Sequence, residues 1–149
     1  MINKINDLKK NIKNKKIAIL GAGISGQGAA ILGSYLGCEI LLSDIKKPKI
    51  INDRILNGNI ELEFGVHSNK CLEVDLIIIS PGINIKRIKL LEVAINKKIP
   101  IITEIEFSSW FTKNPIIAVT GSNGKSTTVK ILHEIFLKKY KDVLLGGNI

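Results

Sequence analysis

Short unbroken apolar runs alternate along this chain with stretches whose apolar positions recur every three or four residues. Lys15–Leu20, Glu39–Ser43 (closed by Asp44) and Val74–Ser80 are continuous runs and predict buried parallel strands. Ile60–Phe64 and Pro100–Thr103 predict two more, and Pro115–Val119 and Asp142–Leu145 another pair. Helical spacing falls in Gln27–Leu36, with Gly37 as its stop, and in Ile50–Leu56 and Ile88–Asn96. A connector over Glu104–Phe111 and a helix from Ser126 to about Tyr140, carrying Val129, Leu132 and Phe136, complete the set. Strand and helix in alternation predict a Rossmann-like doubly wound parallel sheet over about 15–103. A second α/β unit then opens, so residues 1–103 and 104–149 are expected to form two domains. The second has only strand, loop, helix and strand, too few to cover both faces of a sheet, and the chain is expected to stop inside it.

Each α/β unit carries a glycine loop where a strand hands over to a helix. The first, Gly21-Ala22-Gly23-Ile24-Ser25-Gly26, has an acidic residue, Asp44, 18 positions after its last glycine. That is the G-x-G-x-x-G fingerprint, which holds a diphosphate at a helix N-terminus. Alone it suggests NAD with Asp44 on the ribose, although a UDP-linked ligand uses the same geometry. The second is Thr120-Gly121-Ser122-Asn123-Gly124-Lys125-Ser126-Thr127, a shortened phosphate loop of the P-loop ATPase type with Val119 where the standard pattern has glycine. Gly121 and Gly124 let backbone N–H groups turn inward around an anion. Lys125 can set an ammonium against the outer phosphates, and the Ser126 hydroxyl suits Mg²⁺. ATP with Mg²⁺ is therefore the expected occupant. The loop Ser80-Pro81-Gly82 would face Gly21–Gly26 across the point where the strand order reverses.

Composition changes this picture little. At 149 residues and 45% apolar content the chain can bury a core, and no apolar run approaches the ~20 residues of a membrane span. Met1–Lys16 is Lys- and Asn-rich and lacks the apolar stretch of a secretory signal. The net charge of +9 comes mostly from lysines scattered without interleaved aromatics, which reads as solvated surface and not as a nucleic-acid site. Cys38 and Cys71 lack metal-ligand spacing and are expected as reduced thiols of a cytoplasmic protein. His67 has no partner at ligand spacing and is expected to be a surface or structural residue.

Together Gly-Ala-Gly-Ile-Ser-Gly (21–26), Ser-Pro-Gly-Ile (80–83), Thr-Glu-Ile-Glu-Phe (103–107), the phosphate loop (120–127) and Gly-Gly-Asn-Ile (146–149) resemble the Mur ligases. The flavour of the second and fourth motifs resembles the D-glutamate-adding branch. The resemblance runs from about Lys15 to the last residue and implies an ATP- and Mg²⁺-dependent acid–amino-acid ligase of peptidoglycan precursor synthesis. In that family the carboxylate of a UDP-N-acetylmuramoyl substrate, here UDP-N-acetylmuramoyl-L-alanine, becomes an acyl phosphate that the amine of D-glutamate attacks. It further implies that the amides of Ile24 and Ser25 meet the diphosphate and that Asp44 meets the uracil edge. Gly82 would lie against the nucleotide, and Asn148 would contact the substrate near its phosphates. Lys125 would hold the ATP phosphates and the migrating charge, Ser126 the Mg²⁺, and Thr127 would support the loop. Ile45 departs from the hydroxyl-bearing residue the family often has after the acidic one. The family's second-metal carboxylate, modified lysine, substrate histidine and C-terminal domain find no counterpart in these residues, so ligand binding without turnover is expected of them. The full-length ligase is expected to be monomeric. Other readings of the same loops are a Mur ligase for another amino acid, a non-catalytic UDP-sugar or nucleotide-binding module, and an NAD-dependent dehydrogenase domain.

Overall fold

The computed structural model describes residues 2–83 and 88–147, which divide into two compact units, Met1–Thr112 and Lys113–Ile149. The first contains five parallel strands: β1 Lys16–Leu20, β2 Glu39–Asp44, β3 Ile60–Phe64, β4 Leu76–Ile79 and β5 Ile101–Thr103. Their order is β3-β2-β1-β4-β5, so the chain winds outward from β1 on one side and then returns to build the other. The doubly wound sheet expected from the sequence is present.

The continuous apolar runs follow from burial on both faces. Successive side chains of a strand point to opposite sides. Ile17, Ile19, Ile40, Leu42, Leu76 and Ile78 accordingly enter one core, while Ala18, Leu20, Leu41, Ile77 and Ile79 enter the other. Helix α2 (Ile24–Tyr35) packs on the first face through Ala29 and Ala30. Helix α4 (Lys89–Asn96) packs on the second through Leu91 and Ala94, beside a 3₁₀ turn over Asn69–Leu72. Gly37, at φ +78°, ends α2 as expected, with the Cys38 amide donating back to Gly33 O at 3.0 Å. A short helix α3 (Asp53–Leu56), capped by the Asn52 side chain, leads into β3.

Three features depart from the sequence reading. Helix α1 (Ile2–Lys10) was not expected from a Lys- and Asn-rich start, yet Leu8 and Ile12 are buried against the sheet. The connector is helix α5 (Glu104–Ser109), and it belongs to the first unit: Phe107 has no exposed surface and packs edge-on to Trp110 and Phe111. The structural division therefore falls after Thr112, not after position 103. Last, neither Pro115–Val119 nor Asp142–Leu145 is a strand. A strand exists only where a neighbour completes its ladder, and among the described residues of the second unit no such pairing occurs. That unit contains helix α6 (Lys125–Leu137), and none of its described residues is buried.

Candidate nucleotide site

The carboxyl ends of β1 and β4 meet where the strand order reverses, the usual seat of a ligand in such sheets. A cleft of about 580 Å³ opens there, lined by Gly21, Gly23, Ile24 and Ser25 after β1, by Asp44 and Ile45 after β2, and by Ser80–Ile83 after β4. His67, from the segment after β3, lines it too.

The glycines explain the tightness of the first loop. Gly21 sits at φ +101°, and a Cβ on it would lie 2.8 Å from Ser80 Cβ. A Cβ on Gly26 would fall 1.8 Å from the Gly21 carbonyl oxygen, so α2 can leave β1 this closely only without a side chain there. Ser80 Oγ donates to Gly21 O at 3.2 Å and ties the two loops together. Ser80 also anchors its own turn, accepting from the Ile83 amide at 3.0 Å.

Gly23 caps α2 without a side chain, and the first helical bond is Gln27 N to Gly23 O at 2.9 Å. The amides of Ile24, Ser25 and Gly26 precede that bond and form the partly positive end of the helix. Ile24 and Ser25, both exposed, thus present donors at the cleft. Asp44 is fixed by the same loop: Oδ2 accepts from the Ala22 amide at 2.7 Å and Oδ1 from the Lys46 amide at 2.9 Å. Gly82 lines the cleft with open space around it. Gln27, which no motif singles out, braces the loop from behind. Its Nε2 donates to Ala22 O and Ile50 O, both at 2.9 Å, and its Oε1 accepts from the Asn52 amide at 2.9 Å.

His67, expected as a surface or structural residue, is half-buried and hydrogen-bonded. Its Nδ1 lies 2.8 Å from Ser43 Oγ, and Ser43 Oγ lies 2.7 Å from Glu63 Oε1. The parallel register brings this about, since Ser43 pairs with Glu63 across β2 and β3. Burial pulls the His67 pKa down, against the opposing pull of Asp44 and Glu63. Burial also pushes the Glu63 carboxyl up, but hydrogen bonds from Ser68, Ser43 and Cys71 outweigh it and leave the pKa below the ordinary value. Ligand atoms of Glu63, His67 and Cys71 lie within 4.8 Å of one another. Hydrogen bonds account for that cluster without a metal, and burial raises the Cys71 thiol to about 11, which makes a thiolate ligand expensive. Cys38, likewise raised to about 11 by burial, is also a free, buried thiol.

In the second unit Gly121 and Gly124 both take positive φ, +153° and +76°, and Gly124 caps α6. The first helical bond, Thr128 N to Gly124 O at 2.9 Å, leaves the amides of Lys125, Ser126 and Thr127 ahead of it. Lys125 Nζ turns back into the loop, donating to Gly121 O at 2.6 Å and Ser122 O at 3.2 Å. Residues Gly121–Thr127, Ser122 and Asn123 included, are exposed. Asn148 lies outside the described residues.

Residues 15–103 match the family model of the MurD-like Mur ligases, N-terminal domain. The chain belongs to this Mur ligase family. The UDP-N-acetylmuramoylalanine–D-glutamate ligase of Elusimicrobium minutum is 44% identical over 145 residues, which cover 92% of this chain and 31% of that protein. The ligase of the same name from Pelotomaculum thermopropionicum is 34% identical over 144 residues, 94% of this chain and 31% of that one. The chain thus spans about a third of the length of these curated relatives. Among solved structures, a pseudomurein peptide ligase type C from Methanothermus fervidus aligns with a TM-score of 0.56 at 32% identity, covering 82% of this chain and 26% of its own. The UDP-N-acetylmuramate-alanine ligase MurC of Thermotoga maritima aligns with a TM-score of 0.52 at 25% identity, covering 84% and 30%.

Proposed function

We propose that these residues are the nucleotide-binding part of an ATP-dependent ligase joining D-glutamate to UDP-N-acetylmuramoyl-L-alanine in peptidoglycan precursor synthesis, through an acyl phosphate. The observation that supports this most is the polarity of the cleft at the β1–β4 reversal. Amide donors stand at the N-terminus of α2, and the acceptors of Asp44 stand on the far side of the loop. A uridine diphosphate has the matching ends. Its diphosphate lies against the amides of Ile24 and Ser25, and its uracil edge meets Asp44, whose oxygens each keep a free lone pair beyond the backbone bonds they accept. Gly82 lies along the nucleotide.

The second unit opens an ATP-binding domain. Its donor set fits a triphosphate with Mg²⁺: free amides at the start of α6, the Ser126 hydroxyl and the Lys125 ammonium. When bound, the nucleotide supplies the phosphoryl group and the ion neutralises phosphate charge. Lys125 exchanges the carbonyls of Gly121 and Ser122 for phosphate oxygens and keeps a positive charge where negative charge develops. Ser126 is the metal ligand, Thr127 supports the turn, and Gly121, Ser122, Asn123 and Gly124 line it with backbone. A cytoplasmic, monomeric ligase without a nucleic-acid or membrane partner is the setting this implies. Among the described residues no helix is long and apolar enough to cross a membrane.

Titration calorimetry with UDP-N-acetylmuramoyl-L-alanine, UDP and NAD⁺ tests this reading. Both uridine compounds should bind and NAD⁺ should not. The reverse ranking would overturn it in favour of a dehydrogenase-type domain.

A further inference from the structure

The Ser43–Glu63–His67 group has a direction. Ser43 is fully buried, and its hydroxyl carries a single proton. Around Oγ lie Glu63 Oε1 at 2.7 Å, His67 Nδ1 at 2.8 Å and Val66 O at 3.3 Å. The carboxylate is the strongest acceptor of the three and lies nearest. Ser68 holds it in place, its amide donating to Oε1 at 2.9 Å and its hydroxyl to Oε2. With the Ser43 proton committed to Glu63, Oγ is left as an acceptor and His67 Nδ1 has to be the donor. A neutral imidazole protonated at Nδ1 carries its lone pair on Nε2. Among the described residues Nε2 has no hydrogen-bond partner, while the ring itself lines the cleft.

An acceptor in that position does not suit a phosphate. Asp44 acts on the same imidazole as a neighbouring negative charge, and the amide donors stand at the start of α2, next to β1. His67 instead follows β3, on the outer side of β2. The cleft therefore runs from donors over β1 to acceptors over β2 and β3, with Ile45 as an apolar wall beside them. We propose that His67 recognises the nucleoside end of the bound nucleotide, its Nε2 accepting a hydrogen bond from a ribose hydroxyl, with Ser43 and Glu63 as positioning residues that fix the tautomer. This rests on the uridine-substrate reading above.

The test measures binding of UDP, 2′,3′-dideoxy-UDP and N3-methyl-UDP to the 149-residue chain and to its His67→Ala variant. Loss of one hydrogen bond should weaken UDP binding about three- to tenfold. For 2′,3′-dideoxy-UDP, which lacks that donor, wild type and variant should bind alike, while for N3-methyl-UDP the loss in the variant should persist. Equal UDP affinity in both chains, or the same loss in the variant for all three ligands, would overturn the assignment of His67 alone. Failure of the wild type to bind any uridine nucleotide would overturn the uridine reading along with it. A second readout needs no substitution, since the chain has only two histidines, His67 and His133. Imidazole nitrogen NMR should show His67 protonated at Nδ1 and bare at Nε2, with saturating UDP moving Nε2 of His67 and not that of His133. A ring protonated at Nε2 in the free chain, or an Nε2 signal unmoved by bound UDP, would sink the proposal.

Discussion

Two glycines two positions apart in α2 carry opposite requirements. A methyl at Gly26 meets the Gly21 carbonyl oxygen at 1.8 Å, a backbone atom that cannot step aside without opening the loop. Gly26→Ala should cost about 1–3 kcal/mol as an overpacked contact, read as a lower urea midpoint, and should weaken UDP binding as well. Gly28 is exposed in the same helix with nothing within 4 Å of an added Cβ. Gly28→Ala should add about 0.5–1 kcal/mol of stability, read as a higher midpoint, the ordinary helical preference for alanine. Equal effects at both positions would mean that α2 does not lean on the loop as described. Lys125 makes a simpler case, since its ammonium has, among the described residues, only loop carbonyls to leave. Lys125→Ala should weaken ATP binding about ten- to a hundredfold, the worth of a charge-assisted bond, and leave UDP binding untouched. Calorimetry with the two nucleotides separates the sites.

Among the elements, the segment after β3 is where charge and packing meet. Glu63 ionises more readily in the folded chain than in the unfolded one. It therefore stabilises the fold above the ordinary carboxylate pKa, and that contribution is lost as pH falls through its lowered folded value. Ser68→Ala removes the side-chain hydrogen bond that lowers this pKa. Its deficit should be on the order of 1 kcal/mol near neutral pH and should shrink in acid, once the pH has fallen through the lowered Glu63 value. Urea midpoints near neutral pH and in acid measure this; a deficit independent of pH would assign the whole effect to the cap that Ser68 provides for the 3₁₀ turn. The sequence made β3 and the fingerprint loop legible because period and glycine spacing are local signals. It hid this network because Ser43 and His67 are 24 positions apart and meet only through the β2–β3 register. A polar Ser43 ending an otherwise apolar run was the one available sign.

For the whole molecule, the same contrast between local and distant signals decides where the first unit ends. Unbroken apolar runs announced a sheet buried on both faces, and alternation with helices announced that it is parallel and doubly wound. The motif run 103–107 was legible as well, but its spatial allegiance was not, because nothing local says which core Phe107 joins. Likewise Ile5, Leu8 and Ile12 carry helical spacing that the surrounding lysines and asparagines obscured. Pro115–Val119 and Asp142–Leu145 read as strands because each is apolar and β-branched, yet such residues pair only when another strand lies alongside. Phe107 is completely buried in the core of the first unit, with Trp110 and Phe111 against its ring at centroid distances of 5.9 and 5.3 Å. A chain ending at Thr112 keeps this cluster, and one ending at Thr103 loses all three rings. The longer chain should hold the unfolding midpoint of the 149-residue protein, since no described residue after Thr112 is buried. The shorter should fall by at least the roughly 3–5 kcal/mol that emptying a buried aromatic site costs. Phe107→Ala in the intact chain should reproduce most of that loss. Equal stability of the two shortened chains would move α5 out of the first unit and return the boundary to position 103.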